Sequence, residues 1–383
     1  VIWVPVNSGL TVEVLNIADK TRHAAPIEVQ AGVDPAKGRS HVKIPFGRLT
    51  GNEGKGPSID IGLCWTSDTG WDLYGFSFMM VGEPVMNKSA VLLASPNGNF
   101  ECFEPDQLKG TLTFQDFKLV GRDDPLAWIN SWRVVHKGGV EEYLQPSAVV
   151  KKSWFNARAI LPESIIDATG NSMKLSWKTL EDNDMTKPTL NLLESISCGE
   201  TTVFKSEVVG NKLNCILYPG QTGQVAFQIE VDTHVDDEFT MKDSMEEEQF
   251  WQMMRMYSAT FPFGRVLGIK RTSAAGVASL DLKYTGDSTK GSARVKSLQS
   301  AISSDVFEYD GYEVSVYTRK TAGAPDILRQ YAYDDRKTTV TTKIGGHLCT
   351  SELHFSDNDA ITRHIETQGA CSTTTAYSRT EDK

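Results

Sequence analysis

Residues Gln224 to Val235 read QVAFQIEVDTHV, and Val225, Phe227, Ile229 and Val231 alternate there with Gln228, Glu230, Asp232 and His234. A period of two sends successive side chains to opposite faces of a strand, so this stretch predicts one apolar face and one wet face. The same alternation recurs at Leu10, Val12 and Val14, at Ile59, Ile61, Leu63 and Trp65, at Leu280, Leu282 and Tyr284, and at Tyr312, Val314 and Val316. Strands therefore span the whole chain. Between them, Asn97-Gly98, Pro219-Gly220, Gly210-Asn211 and Asp310-Gly311 supply residues that tolerate the positive φ of tight turns.

Working outward, eight strand-like runs precede Val235, at 111–120, 139–149, 154–161, 172–179, 189–197, 200–208, 212–218 and 224–235. Eight strands is the count of a jelly roll. Within GTLTFQDFKLV (Gly110 to Val120) the apolar phase passes from Leu112 and Phe114 to Phe117 and Leu119, and a β-bulge at Gln115-Asp116 is the expected cause. A helix is predicted from Ser244 to about Ser258: Ser244 and Glu247 form a capping box, and Phe250, Met253, Met254 and Tyr257 make its apolar face. Short helical turns are expected at Pro125 to Val134 and Ala324 to Tyr331.

The fold class that follows is all-β, with tandem antiparallel β-sandwich (jelly-roll-like) domains and one connecting helix. The expected division is 1–104 as an N-terminal β domain, 105–237 as an eight-stranded jelly-roll-like domain, and 238–383 as the helix plus a C-terminal β domain. The Ser/Thr-rich tail from Cys371 to Lys383 is expected to be mobile.

The chain has 383 residues, 39 Lys+Arg against 49 Asp+Glu for a net charge of −10, and 40% hydrophobic residues. That composition excludes a disordered acidic chain and opposes electrostatic capture of nucleic acid, which depends on Lys and Arg neutralising phosphates. No apolar run approaches the ~18 residues of a membrane helix, and no signal-peptide pattern opens the chain, so no membrane partner is expected. The first residue is Val1 rather than Met, which is expected either from release from a longer precursor or from a start that lies further upstream.

Chemistry-bearing motifs are sparse. GxSxG, the P-loop and GxGxxG are missing. Cys64, Cys102, Cys198, Cys215, Cys349 and Cys371 contain no CxxC, and reduced, buried thiols in a reducing compartment are expected. His347, Cys349, His354, His364 and Cys371 invite a metal reading, but their spacing fits no usual zinc site, and packed or solvated side chains are the ordinary state. Acidic groupings at Asp123-Asp124, Asp182/Asp184, Asp236-Asp237-Glu238, Asp334-Asp335 and Asp357/Asp359 could supply a hydrolase pair, although solvated loop carboxylates read the same way. Trp65, Trp71, Trp128, Trp132, Trp154, Trp177 and Trp251, with Tyr74, Phe76 and Phe78, could stack on bases or sugars, but their strand spacing suits a core. Lys151-Lys152 beside Trp154 is the nearest approach to a nucleic-acid patch. No catalytic, cofactor-binding or metal residue is assigned, and no cofactor is expected.

The stretch GTLTFQDFKLVGRDDPLAWINSWRVVHKGGVEEYLQPSAVVKKSWFNARAILPE (Gly110 to Glu163) resembles the opening of a jelly-roll coat domain of picorna-like plant viruses, the comovirus and nepovirus group. The pattern is a first strand (Leu112 to Val120), a polar turn (Asp123-Asp124-Pro125), a short helix (Leu126 to Trp132), then Gly138-Gly139 and a long second strand (Val140 to Val150). The start, VIWVPVNSGLTVEVLNI, is faintly similar to the beginning of a nepovirus coat protein. The resemblance implies a capsid subunit that assembles with copies of itself, and with other coat subunits, into an icosahedral shell around viral RNA. It implies location in the virion, with host cytoplasm as the place of assembly, and no enzymatic activity. Two alternatives remain open: a multi-domain β-sandwich binding protein, either carbohydrate- or receptor-binding or a phage tail or fibre component, and a hydrolase on a β scaffold.

Overall fold

Short strands joined by tight turns offer each strand its sequence neighbour as a hydrogen-bonding partner, and the computed structural model uses that option nearly throughout. It describes residues 26–51, 54, 56–67, 70–85, 88–96, 100–103, 111–114, 116–121, 132–152, 155–180, 190–232, 261, 265–285, 294–311, 313–356, 360–369 and 371–377. Strands β1 (Gln30–Asp34), β2 (Arg39–Thr50), β3 (Ser58–Thr66) and β4 (Gly70–Tyr74) form one antiparallel sheet in sequence order. Strands β5 (Phe78–Val85), β6 (Lys88–Ala94) and β7 (Phe100–Phe103) form a ribbon.

The remaining strands make one long meander. They are β8 (Thr111–Thr113), β9 (Phe117–Val120), β10 (Trp132–His136), β11 (Glu141–Lys152), β12 (Phe155–Ile166), β13 (Ser172–Leu180), β14 (Leu190–Cys198), β15 (Thr201–Val209), β16 (Lys212–Leu217) and β17 (Val225–Asp232). They continue as β18 (Arg265–Ser273), β19 (Gly276–Tyr284), β20 (Val295–Ser300), β21 (Ser303–Asp310), β22 (Glu313–Thr321), β23 (Ile327–Asp334), β24 (Lys337–Ile344), β25 (His347–Phe355), β26 (Ile361–Gln368) and β27 (Cys371–Ala376). From β8 onward each strand pairs antiparallel with the next. The long β12 branches this path: Ala157–Ile160 bonds β5 while Ser164–Ile166 bonds β13. Among the described residues the registers give β7, β8 and β27 one partner each, so the pairings traced there leave the sheet open rather than closed as a barrel.

The class is all-β, and the layers are those of an antiparallel sandwich. Alternation explains why they stack. Ile59, Ile61, Leu63 and Trp65 are all buried, as are Phe227, Ile229 and Val231 from the opposite layer, and the rings of Phe46 and Phe227 stack at 4.5 Å. One apolar cluster runs from Ile27 to Tyr317, drawing on residues either side of 104 and of 237. A smaller one, with Met79, Leu119, Trp132, Leu144 and Ile160, lies where β5 and β8–β12 meet.

Several expectations change. Connections across 105–237 are hairpins between sequence neighbours, where a jelly roll needs Greek-key crossovers. The phase slip in GTLTFQDFKLV is no bulge: β8 and β9 are two strands of a tight hairpin, with Leu112 directly opposite Leu119 and Phe114 stacked on Phe117 at 4.5 Å. A hairpin reverses the chain, so both leucines face one side without an extra residue in either strand. Ala324 to Tyr331 enters strand β23 rather than a helical turn, because Ile327 to Asp334 pairs along its full length with β24. On β22 the buried residues are Val314 and Tyr317 rather than Val316, since a register shift opposite Glu308 and Tyr309 leaves Ser315 as an extra residue. Cys371 to Ala376, expected mobile, pairs with β26. The helix predicted at 244–258, the strand at 10–14, the Asn97-Gly98 turn and the segment 122–131 lie outside the described residues, and Trp132 to Val134 is strand.

Candidate functional site

Tyrosines on the meander tie the two layers together. The Tyr218 hydroxyl, just after β16, donates to the Arg48 carbonyl at 2.9 Å and accepts from the Thr50 N–H at 2.9 Å. Tyr284 accepts from Trp71 Nε1 at 2.9 Å and donates to the Val266 carbonyl at 2.9 Å. Tyr309 donates to the Val295 carbonyl at 2.8 Å, so the Ser40 hydroxyl, also at 2.8 Å, is the donor in their contact. Burial raises the Tyr284 phenol and pushes Tyr309 up to about 12, which keeps both neutral and able to donate. Each anchor places a polar tip on the facing sheet while its ring packs in the core.

Two buried carboxylates complete this polar framework. Glu142 on β11 accepts from the backbone N–H and hydroxyl of Ser77, which lies between β4 and β5, and sits 2.6 Å from His136 Nε2 on β10. Because Ser77 meets Glu142 and not the imidazole, this trio is a structural tie and lacks the nucleophile-to-base contact of a hydrolytic triad. Asp305 on β21 accepts from the Tyr317 hydroxyl at 2.6 Å, with Arg319 Nε at 3.7 Å. Burial raises its carboxyl, and the tyrosine and the guanidinium pull it back down. Neither group was singled out from sequence, though a signal exists: Glu142 shares strand parity with buried Leu144, and Asp305 with buried Phe307.

The residues singled out from sequence are scattered. His347, Cys349 and His354 lie on β25, His364 on β26 and Cys371 on β27. Register puts His354 on the opposite face from Leu353 and His364, and places Cys349 and Cys371 in one row two strands apart. At ~4.8 Å per strand that is about 10 Å, beyond disulfide reach. Among the described residues no three His, Cys, Asp or Glu side chains group to hold a metal ion. Cys64, Cys198 and Cys215 are buried thiols joined in no disulfide, and burial raises those of Cys64 and Cys215. Asp334-Asp335 caps the β23–β24 hairpin with Arg336 at φ 55° and borders a cleft of about 310 Å³ whose walls include Glu313, Tyr333 and Lys337. The other four acidic groupings, with Trp128, Trp154 and Trp251, fall outside the described residues, as do the side chains of Lys151 and Lys152. Trp65, Trp71, Trp132, Phe76 and Phe78 are buried, and Trp177 packs edge-on against Phe76 at 5.5 Å. These aromatics are core and offer no stacking platform. Among the described residues no helix is long and apolar enough to cross a membrane.

What remains open is the far end of the meander. Burial falls away along it: β22 still contributes Val314 and Tyr317 to the core, β26 has no buried residue, and all six residues of β27 are exposed. The last strands form a sheet wet on both faces and ending in an edge.

No family model matches the chain, and no curated protein matches it. Among solved structures the chain is similar to one titled Crystal Structure of TcdB2-TccC3, with a TM-score of 0.36 and 11% identity over 90% of this chain and 20% of that one. The chain thus spans about a fifth of the length of that solved chain, and a likeness at this level carries no argument about fold or function.

Proposed function

We propose that this chain is a structural subunit that assembles with copies of itself, the coat of a virion enclosing RNA being the assembly its sequence resembles. The observation that carries the reading is how its polar groups are used. Those described above are spent inside the fold, Glu142 tying Ser77 to the β10–β11 hairpin, Asp305 bracing β21 against β22 and the half-buried tyrosines joining the two layers, while a long antiparallel meander ends in an exposed edge. Assembly needs rigid layers and surfaces to be met by neighbours, and that is the chemistry such an arrangement provides. The long strand β11 after Gly138-Gly139 also has the length and place of the second strand in the coat-domain pattern. The pattern's first strand is a hairpin here, and the resemblance rests on the remainder.

A second reading, a β-sandwich fibre or binding component, is favoured by the final strands, whose two wet faces suit an elongated projection. Negative-stain electron microscopy of the purified chain separates the two. Closed shells with co-purifying RNA support the coat; rods or isolated small particles without nucleic acid overturn it in favour of the second reading.

A further inference from the structure

The geometry of the last hairpin points to an interaction surface: we infer that the outer edge of β27 pairs antiparallel with the β27 edge of a second copy of this chain, about a two-fold axis through Thr374. This deepens the assembly reading and rests on it.

The hydrogen-bond parity of the strand sets the register. The Tyr377 N–H donates to the Thr362 carbonyl at 2.9 Å, so residues two apart from it, Thr375, Thr373 and Cys371, also turn their backbone polar groups toward β26. Ser372, Thr374 and Ala376 therefore present N–H and C=O outward. These three are symmetric about Thr374. A two-fold there sets Thr374 opposite Thr374 of the copy, and Ser372 opposite Ala376 in both directions. That register alone engages every outward group of the strand.

Composition favours the same occupant. Cys371 to Tyr377 reads CSTTTAY, with no Lys, no Pro and no charge, so the edge lacks the devices that normally block strand addition. On the neighbouring strand β26 the charged and titratable residues are Arg363, His364 and Glu366. In the two-fold register Thr373 faces Thr375 of the copy, and threonine pairs across strands are favourable. The row carrying Glu366 then continues into the row carrying His364 of the copy. No like charges are brought into line, whereas a charged foreign strand would find nothing on β27 to select it.

The test uses the full chain in sedimentation velocity across a concentration series, with Thr374→Pro and Thr374→Cys. Proline removes the central outward N–H, and association should weaken roughly tenfold or more with an unchanged circular dichroism spectrum. Because the paired Thr374 residues would lie about 5.5 Å apart between Cα atoms, Thr374→Cys in a Cys371→Ser background, which removes the exposed native thiol of β27, should yield a covalent dimer of twice the chain mass on oxidation, while Thr350→Cys in the same background, on the inner strand β25, should not. This cross-link also decides the matter if the proline variant fails to fold. A wild-type chain that stays monomeric, association indifferent to Thr374→Pro, or a cross-link to a protein of different mass overturns the inference. Shells formed equally well by Thr374→Pro would remove the edge pairing and leave the coat reading intact; a proline-sensitive dimer with no larger particle would do the reverse.

Discussion

The Ser40 hydroxyl and the Tyr309 hydroxyl lie 2.8 Å apart across 269 residues of sequence, joining the first sheet to the twenty-first strand. Ser40 is fully buried, and its donated bond is accepted by a phenol whose own proton goes to the Val295 carbonyl. Tyr309→Phe strands the buried serine and should lower stability by about 1–2 kcal/mol, whereas Ser40→Ala, which removes the polar group itself, should cost less. Urea denaturation of both single variants and the double variant measures this. Equal losses that add in the double variant would show that the two hydroxyls do not act as a pair.

His41 gives stability a pH dependence. Burial, reinforced by Lys43, holds its imidazole at about 4, below the ordinary 6.5. Between those values the unfolded chain binds more protons at this position, so the contribution is complete above pH 6.5 and is lost as the pH falls toward 4. The full span corresponds to at most about 3 kcal/mol. The stability difference between wild type and His41→Gln should therefore shrink from pH 7 to pH 4.5; parallel pH profiles would refute the assignment.

Glu142 holds the start of β5 against the β10–β11 hairpin through Ser77 and His136. Removing its carboxylate leaves a buried N–H and hydroxyl without an acceptor. Glu142→Ala should cost about 3 kcal/mol or more, and Glu142→Gln, which keeps one acceptor oxygen, distinctly less. Hydrogen exchange at Ser77 should accelerate in the alanine variant before exchange at Ile61 or Leu63 does; simultaneous acceleration would mean that the tie serves the whole sandwich.

Much of the local architecture is legible in the chain. Phe227, Ile229 and Val231 are buried as their alternation requires, and runs such as 200–208 and 212–218 match β15 and β16 to within a residue or so at each end. Where reading failed, one local signal had two physical causes. The slip at Gln115-Asp116 suits a bulge and a hairpin equally, and only the pairing of Leu112 with Leu119 chooses between them. In the same way the Ser/Thr-rich segment after Cys371 suits a mobile tail until β26 supplies its hydrogen bonds.

The candidate site was less legible for a related reason. His347 and His364 are close in sequence, yet one sits at the start of β25 and the other opposite Leu353, six residues along that strand, which at ~3.4 Å per residue separates their rows by about 20 Å. Glu142 and Ser77, far apart in sequence, touch.

The sequence by itself determined that this protein is a succession of strands with apolar faces, because side-chain parity and turn residues act over a few positions. Only the tertiary structure decided that sequence neighbours pair into one meander, that the first sheet lies against it, and that the final edge has no second partner among the described residues. Those outcomes depend on which surfaces find one another across hundreds of residues, and local periodicity is the same for every strand order that buries the same faces.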